Sequence, residues 1–123
     1  MRSWRSRRGA TWRRWPTPTV RARLAGAAIR HMEARALVRE VAGAVAAGDP
    51  TAQLGVLAVK ASAAEMAIEA TEAAMRIGGG AAYSKAGSLE RHLRDARAAS
   101  VMAPSSDVLQ DFLGKALTGQ ELF

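Results

Sequence analysis

Three breaks constrain what this chain can fold into: Gly48-Asp49-Pro50, Gly78-Gly79-Gly80 and Ala103-Pro104. Proline removes an amide donor and clashes with the preceding helical turn, while glycine tolerates backbone past a helix end that other residues resist. Between the breaks, apolar residues recur at helical spacing. A first helix is predicted from a Thr19 cap to about Ala47, with Leu24, Ala28, Ala34, Val38, Val41 and Val45 on one face. A second runs from about Pro50-Thr51 to Ile77. Val59, Ala63, Met66, Ala70, Ala73 and Ile77 form its apolar face, and Glu65, Glu69, Glu72 and Arg76 the other, with Glu72 and Arg76 placed to pair. Ala81 to Gly87 reads as a loop. Ser88 is the expected cap of a third helix, which carries Glu90 and Arg94 and stops at Pro104. Ser105 or Ser106 caps a fourth, to about Leu117, whose expected buried side is Val108, Leu109, Phe112, Leu113 and Leu117. No strand pattern is present, so the expected fold is all-α, an antiparallel helical bundle.

The 123 residues suffice for one small domain. Alanine dominates the apolar fraction, and its methyl group buries little area, so the core is thin per residue. The absence of cysteine excludes disulfides and thiolate metal sites. No apolar run approaches the roughly 20 residues that span a bilayer. The net charge of +7 is uneven: the first 23 residues hold eight arginines and no acid, leaving 10 basic and 11 acidic residues beyond them. The folding part is therefore close to neutral, and nucleic acid is not an expected partner.

Two regions follow: residues 1–18, a disordered Arg/Trp-rich leader, and residues 19–123, the helical domain. In the leader, arginines alternate with Trp4, Trp12 and Trp15, a composition that can grip phosphates or lie on an anionic membrane. Arg7-Arg8 lacks the continuous apolar stretch that an export signal requires.

Candidate chemistry is sparse. His31 and His92 stand in no ligand spacing, so no metal site is expected, and no catalytic residue is identified. The glycine triplet reads either as a helix stop or as bare backbone that a phosphate can approach closely. The Glu90-Arg91-His92-Leu93-Arg94-Asp95 run reads as a solvated ion-pair network or a ligand clamp.

Taken together, Lys60, Arg76-Ile77-Gly78-Gly79-Gly80, Leu89-Glu90-Arg91 and Arg94-Asp95-Ala96-Arg97 resemble the C-terminal helical domain of acyl-CoA dehydrogenases. That family carries a lysine in its penultimate long helix, a Gln-x-x-Gly-Gly turn, and a Glu-(x)3-Arg-Asp-Ala-(Arg/Lys) run, here matched without a gap. His31-Met32-Glu33-Ala34-Arg35 resembles the preceding helix, and the likeness extends from about Thr19 to Gly119.

The resemblance implies the C-terminal, flavin-contacting and oligomerising part of an oxidoreductase acting on CH–CH groups of acyl-CoA thioesters in fatty acid metabolism, in the cytoplasm. The implied cofactor is FAD, or FMN in a monooxygenase-like relative. The implied FAD-contacting residues are Arg76, Gly79, Gly80, Ser105 and Asp107, with the glycine turn reaching the FAD of a neighbouring subunit. The implied partners are further copies of the chain or a missing upstream polypeptide, with acyl-CoA bound only by the complete enzyme. Arg76 replaces the family's glutamine. Ala103 stands where many members carry the catalytic glutamate, and a methyl group accepts no proton. Relatives with a base on another helix, and flavin monooxygenases that need none, both tolerate alanine there. The chain is expected to be an incomplete bundle, inactive alone and marginally stable: a truncated remnant, a mis-started product or one piece of a split enzyme. The other possibility is a non-catalytic helical interaction module.

Overall fold

The computed structural model describes residues 17–122. The leader's structure up to residue 16 lies outside them. Four α-helices follow in order: α1 (Pro18–Ala46), α2 (Ala52–Gly78), α3 (Leu89–Val101) and α4 (Ser106–Leu117). A 3-10 turn, Gly79–Tyr83, follows α2. Among the described residues there is no strand, and the predicted all-α bundle is what forms.

The first helix starts one residue before the expected cap. Thr17, not Thr19, caps α1, its hydroxyl accepting the Val20 N–H at 3.4 Å. Pro18 occupies the first helical position, where its missing N–H costs nothing and its fixed φ suits a helix. At the other end, Asp49 accepts from both the Thr51 amide (2.8 Å) and the Thr51 hydroxyl (2.7 Å), which orients the turn into α2. These bonds, the hydroxyl's first, hold the Asp49 carboxyl below its ordinary value of 3.8. A depressed carboxylate pKa stabilises the fold above the unfolded value, and that stability is lost as pH falls through the folded one. Protection of the Thr51 amide against exchange, relative to its intrinsic rate, is therefore expected to fall below about pH 4, and Asp49→Asn removes this pH dependence.

The central element is α2, on which α1, α3 and α4 all pack. This explains a departure from the predicted faces. Val59, Ala63, Met66, Ala70, Ala73 and Ile77 are half-buried, while the fully buried positions are Ala52, Ala61, Ala64 and Met75. A helix with neighbours on several sides has no single apolar stripe. The small side chains let α1 come close: a β-carbon on Gly55 would lie 2.8 Å from Val41 Cγ2.

On α1 the covered positions are Val20, Arg23, Ala27, Ala34, Leu37, Val41 and Ala44, stepping by three and four except for one step of seven past the exposed Arg30. That is the seam of two helices running at a shallow angle. Leu24, Val38 and Val45, expected inside, are rotated off this seam and exposed. On α4 only Leu109 is fully enclosed, at 1% exposure, with Phe112 and Leu113 half-buried. Val108, in the outward side of the first turn, and Leu117, at the helix end, are exposed, contrary to expectation. Ser105, rather than Ser106, caps α4 by accepting the Val108 N–H at 3.5 Å. Ser88 precedes α3 but makes no side-chain cap. Ala82, in the segment read as loop, is buried within the 3-10 turn.

Candidate functional site at the two ends of α2

At the C-terminal end of α2 the three glycines differ in what requires them. A β-carbon on Gly78 would fall 2.9 Å from Ala82 Cβ, so the 3-10 turn can fold back only over glycine. Gly79 sits at φ 59°, ψ −146°, a region L side chains avoid, and its N–H caps α2 on the Met75 carbonyl. Gly80 has neither constraint: its φ is not positive, and an added β-carbon meets nothing within 4 Å. Gly79 and Gly80 are both exposed. Replacing Gly79 with valine is expected to destabilise by about 1–3 kcal/mol through backbone strain, measured by urea unfolding, while Gly80→Ala leaves the unfolding midpoint unchanged.

Arg76 lies one turn before this bend and is exposed. It borders a shallow cleft of about 170 Å³ between α1 and α2, with Arg23, Glu69, Glu72 and Ala73. The expected Glu72–Arg76 pair does not form. Glu72 instead binds Arg97 of α3, which leaves the Arg76 guanidinium without an ion-pair partner among the described residues.

Beside α2, some five turns before the bend, is the turn joining α3 to α4. Lys60 Nζ donates to the Met102 carbonyl at 2.9 Å and to the Pro104 carbonyl. Ala103 lies between these two acceptors and is exposed, and its bond to Pro104 is cis. Ser105 follows as the α4 cap, and Asp107 is exposed in the first turn of that helix. The Ser106 hydroxyl is buried with no hydrogen-bond partner. Sequence spacing marked Lys60 without a role. Its role here is to clamp two carbonyls that no helix satisfies, and nothing in the sequence pattern pairs positions 60 and 104.

The five predicted contact residues therefore fall into two groups. Arg76, Gly79 and Gly80 share the C-terminal end of α2, and Ser105 and Asp107 follow the turn held by Lys60 on its side. Nineteen helical residues separate Lys60 from Gly79, about 28 Å at 1.5 Å per residue. One copy of the chain does not bring the two groups together.

Between them, three glutamates of α2 each reach a different helix. Glu65 accepts from Gln110 of α4 at 3.0 Å, Glu69 pairs with Arg30 of α1 at 3.2 Å, and Glu72 pairs with Arg97. The Glu90-to-Asp95 run contributes only the exposed contacts of Arg94 to Glu90 (3.7 Å) and to Asp95 (3.9 Å), pairs worth little in water. His31 and His92 are exposed, and among the described residues no group of three His, Cys, Asp or Glu could hold a metal ion. No helix among the described residues is long and apolar enough to cross a membrane.

The family described as acyl-CoA dehydrogenase, C-terminal domain, matches residues 3–118. No curated protein and no solved structure matches the chain. With nearly the whole sequence covered by that one family, and with its lysine, glycine bend and Arg-Asp-Ala-Arg run placed at the ends and side of one central helix, the chain belongs to the acyl-CoA dehydrogenase C-terminal domain family.

Proposed function

We propose that this chain is the flavin-contacting and oligomerising part of an acyl-CoA dehydrogenase-like oxidoreductase of the cytoplasm, inactive by itself. The exposed Gly79-Gly80 bend carries the proposal. Exposed backbone without side chains, beside an arginine with no ion-pair partner, lets a pyrophosphate approach closely. FAD fits this end by residue chemistry: Arg76 supplies charge, and Gly79 and Gly80 supply unobstructed main chain. At the other end Ser105 offers a hydroxyl already engaged as a helix cap, and Asp107 is a carboxylate that a phosphate would repel. Because the two groups lie about 28 Å apart along α2, a flavin site using both draws them from two copies of the chain.

When bound, the flavin supplies the hydride acceptor. The chain's own contribution is to hold and orient the dinucleotide. Proton abstraction is not among its tasks at the position where relatives carry glutamate, because Ala103 has no acceptor. That same alanine favours the second reading, a piece of a related flavin monooxygenase, in which no such base is needed.

The test is FAD retention on gel filtration, for the chain alone and for the chain co-purified with the polypeptide encoded beside it. The chain alone is expected to release FAD and the complex to keep it. Gly80→Val, whose β-carbon meets nothing within 4 Å, is expected to lower retention by the complex about tenfold without changing its melting temperature. Absence of flavin from both samples contradicts the proposal.

A further inference from the structure

Of the α1 positions covered by α2, Arg23 alone is charged. It is half-buried, on the seam otherwise lined by Val20, Ala27, Ala34, Leu37, Val41 and Ala44, and it makes no ion pair among the described residues. Arg30, seven residues on, has both Glu33 and Glu69. A cation drawn toward an interior without a partner costs free energy, and its stem keeps that cost down by carrying the head along the helix groove to water.

The groove leads to Arg76. The two helices run antiparallel, with Val41 against Gly55 and Arg30 against Glu69, so residue 23 comes level with residue 76, and both border the cleft of about 170 Å³. The acids of that cleft are engaged elsewhere: Glu69 by Arg30 at 3.2 Å, and Glu72 by Arg97. Counted with their partners, Arg23, Arg30, Arg76 and Arg97 stand against only Glu33, Glu69 and Glu72. Two unpaired guanidiniums around one small opening repel each other, and an anion between them relieves both. At about 170 Å³ the cleft is smaller than the roughly 300 Å³ at which pockets begin to admit a whole small-molecule ligand. It therefore takes a charged group and leaves the rest of the ligand outside. Each guanidinium fork matches the oxygens of one phosphoryl group, so two forks suit a diphosphate.

We propose that Arg23 is a second phosphate-binding residue, acting with Arg76 across this cleft to hold the diphosphate of a nucleotide. This rests on the flavin-contacting role proposed above and adds to it a residue outside the glycine bend and the Arg-Asp-Ala-Arg run.

Melting of the full chain in inorganic pyrophosphate tests it. An anion seated in the cleft binds only the folded chain and raises the midpoint, whereas one held by charge alone, folded or unfolded, adds nothing. The wild type is expected to melt higher in pyrophosphate than in sulfate of equal ionic strength. Arg23→Gln and Arg76→Gln each weaken the binding read from that shift about tenfold. Arg35→Gln makes the same change of charge at an exposed arginine outside the cleft and leaves the shift unchanged. Without pyrophosphate neither cleft variant melts lower, because each ends a repulsion. In the co-purified complex, Arg23→Gln lowers retention of FAD if the diphosphate is the flavin's, and of CoA if it is the acyl carrier's. A wild type with no shift beyond that in sulfate overturns the proposal, as do equal losses for Arg23→Gln and Arg35→Gln. A shift that only Arg76→Gln removes overturns the role of Arg23 and leaves the flavin reading standing. A complex without flavin, whose chain still loses the pyrophosphate shift with Arg23→Gln, overturns the flavin reading and not the cleft.

Discussion

Leu109→Ala is expected to lower the melting midpoint by on the order of 15 °C, the largest stability effect of any single truncation in this chain. Among the described residues, Leu109 is the one large side chain that is essentially sealed from solvent, at 1% exposure. The other buried apolar residues are alanines and Met75. Removing three carbons from an enclosed leucine costs about 3 kcal/mol in lost transfer energy and cavity, and a domain of this size loses several degrees per kcal/mol. The location matters as much as the volume. Leu109 is the most enclosed side chain of α4, and beside it lie half-buried Phe112 and Leu113, the Gln110–Glu65 bond and the Lys60 clamp on the turn before α4. Truncating it opens a cavity at the centre of that contact, which water reaches more readily than an intact core. Calorimetry of Leu109→Ala beside Leu117→Ala is the check. Leu117 is 87% exposed, so its truncation is expected to leave the midpoint within experimental error. Equal shifts for the two would mean that α4 is not anchored through Leu109.

That contrast also marks how far sequence pattern can be read. The helices and their breaks were legible because proline and glycine act locally: Pro50, Gly78 to Gly80 and Pro104 interrupt hydrogen-bond ladders wherever the rest of the chain goes. The family was legible because Lys60, Gly79-Gly80 and Arg94-Asp95 keep the family's spacing across α2, the bend and α3. Which apolar residues are covered was less legible. A helical period places Val108, Leu109, Phe112 and Leu113 on one broad side of α4, and only the direction of α2 decides that Leu109 is inside and Val108 is not. The same limit applies to α2. Its alanines fall on every side, so periodicity could not reveal that it has three helical neighbours. Long-range polar links were not legible at all. Arg97 lies 25 residues from Glu72, and a closer candidate, Arg76, stood four residues away. Helical proximity favours the near pair by only a few tenths of a kcal/mol, little enough for packing of α3 on α2 to override it.

Ala103→Glu, placed in the flavin-binding complex proposed above, is expected to raise the rate of acyl-CoA-dependent flavin reduction by about 100-fold. A positioned general base contributes on the order of 10² to 10⁴, and the environment of position 103 favours the lower figure. Residue 103 lies between the two carbonyls that Lys60 binds. An ammonium held there stabilises a neighbouring carboxylate, so a glutamate at 103 is ionised at neutral pH and ready to accept a proton, but is a weaker base for that same reason. Lys60→Met in the Ala103→Glu background is accordingly expected to shift the acidic limb of the pH–rate profile upward, whereas a purely structural lysine would lower the rate without moving that limb. Exchange of the α-hydrogens of a saturated acyl-CoA with deuterated water isolates the proton step from the hydride step. If Ala103→Glu accelerates that exchange, the acyl α-carbon comes within reach of the α3–α4 turn, and alanine is what silences it. If the wild-type assembly already exchanges these hydrogens and the glutamate adds nothing, the base belongs to another helix. If neither protein exchanges them while reduced flavin consumes oxygen, the monooxygenase reading takes precedence over the dehydrogenase one.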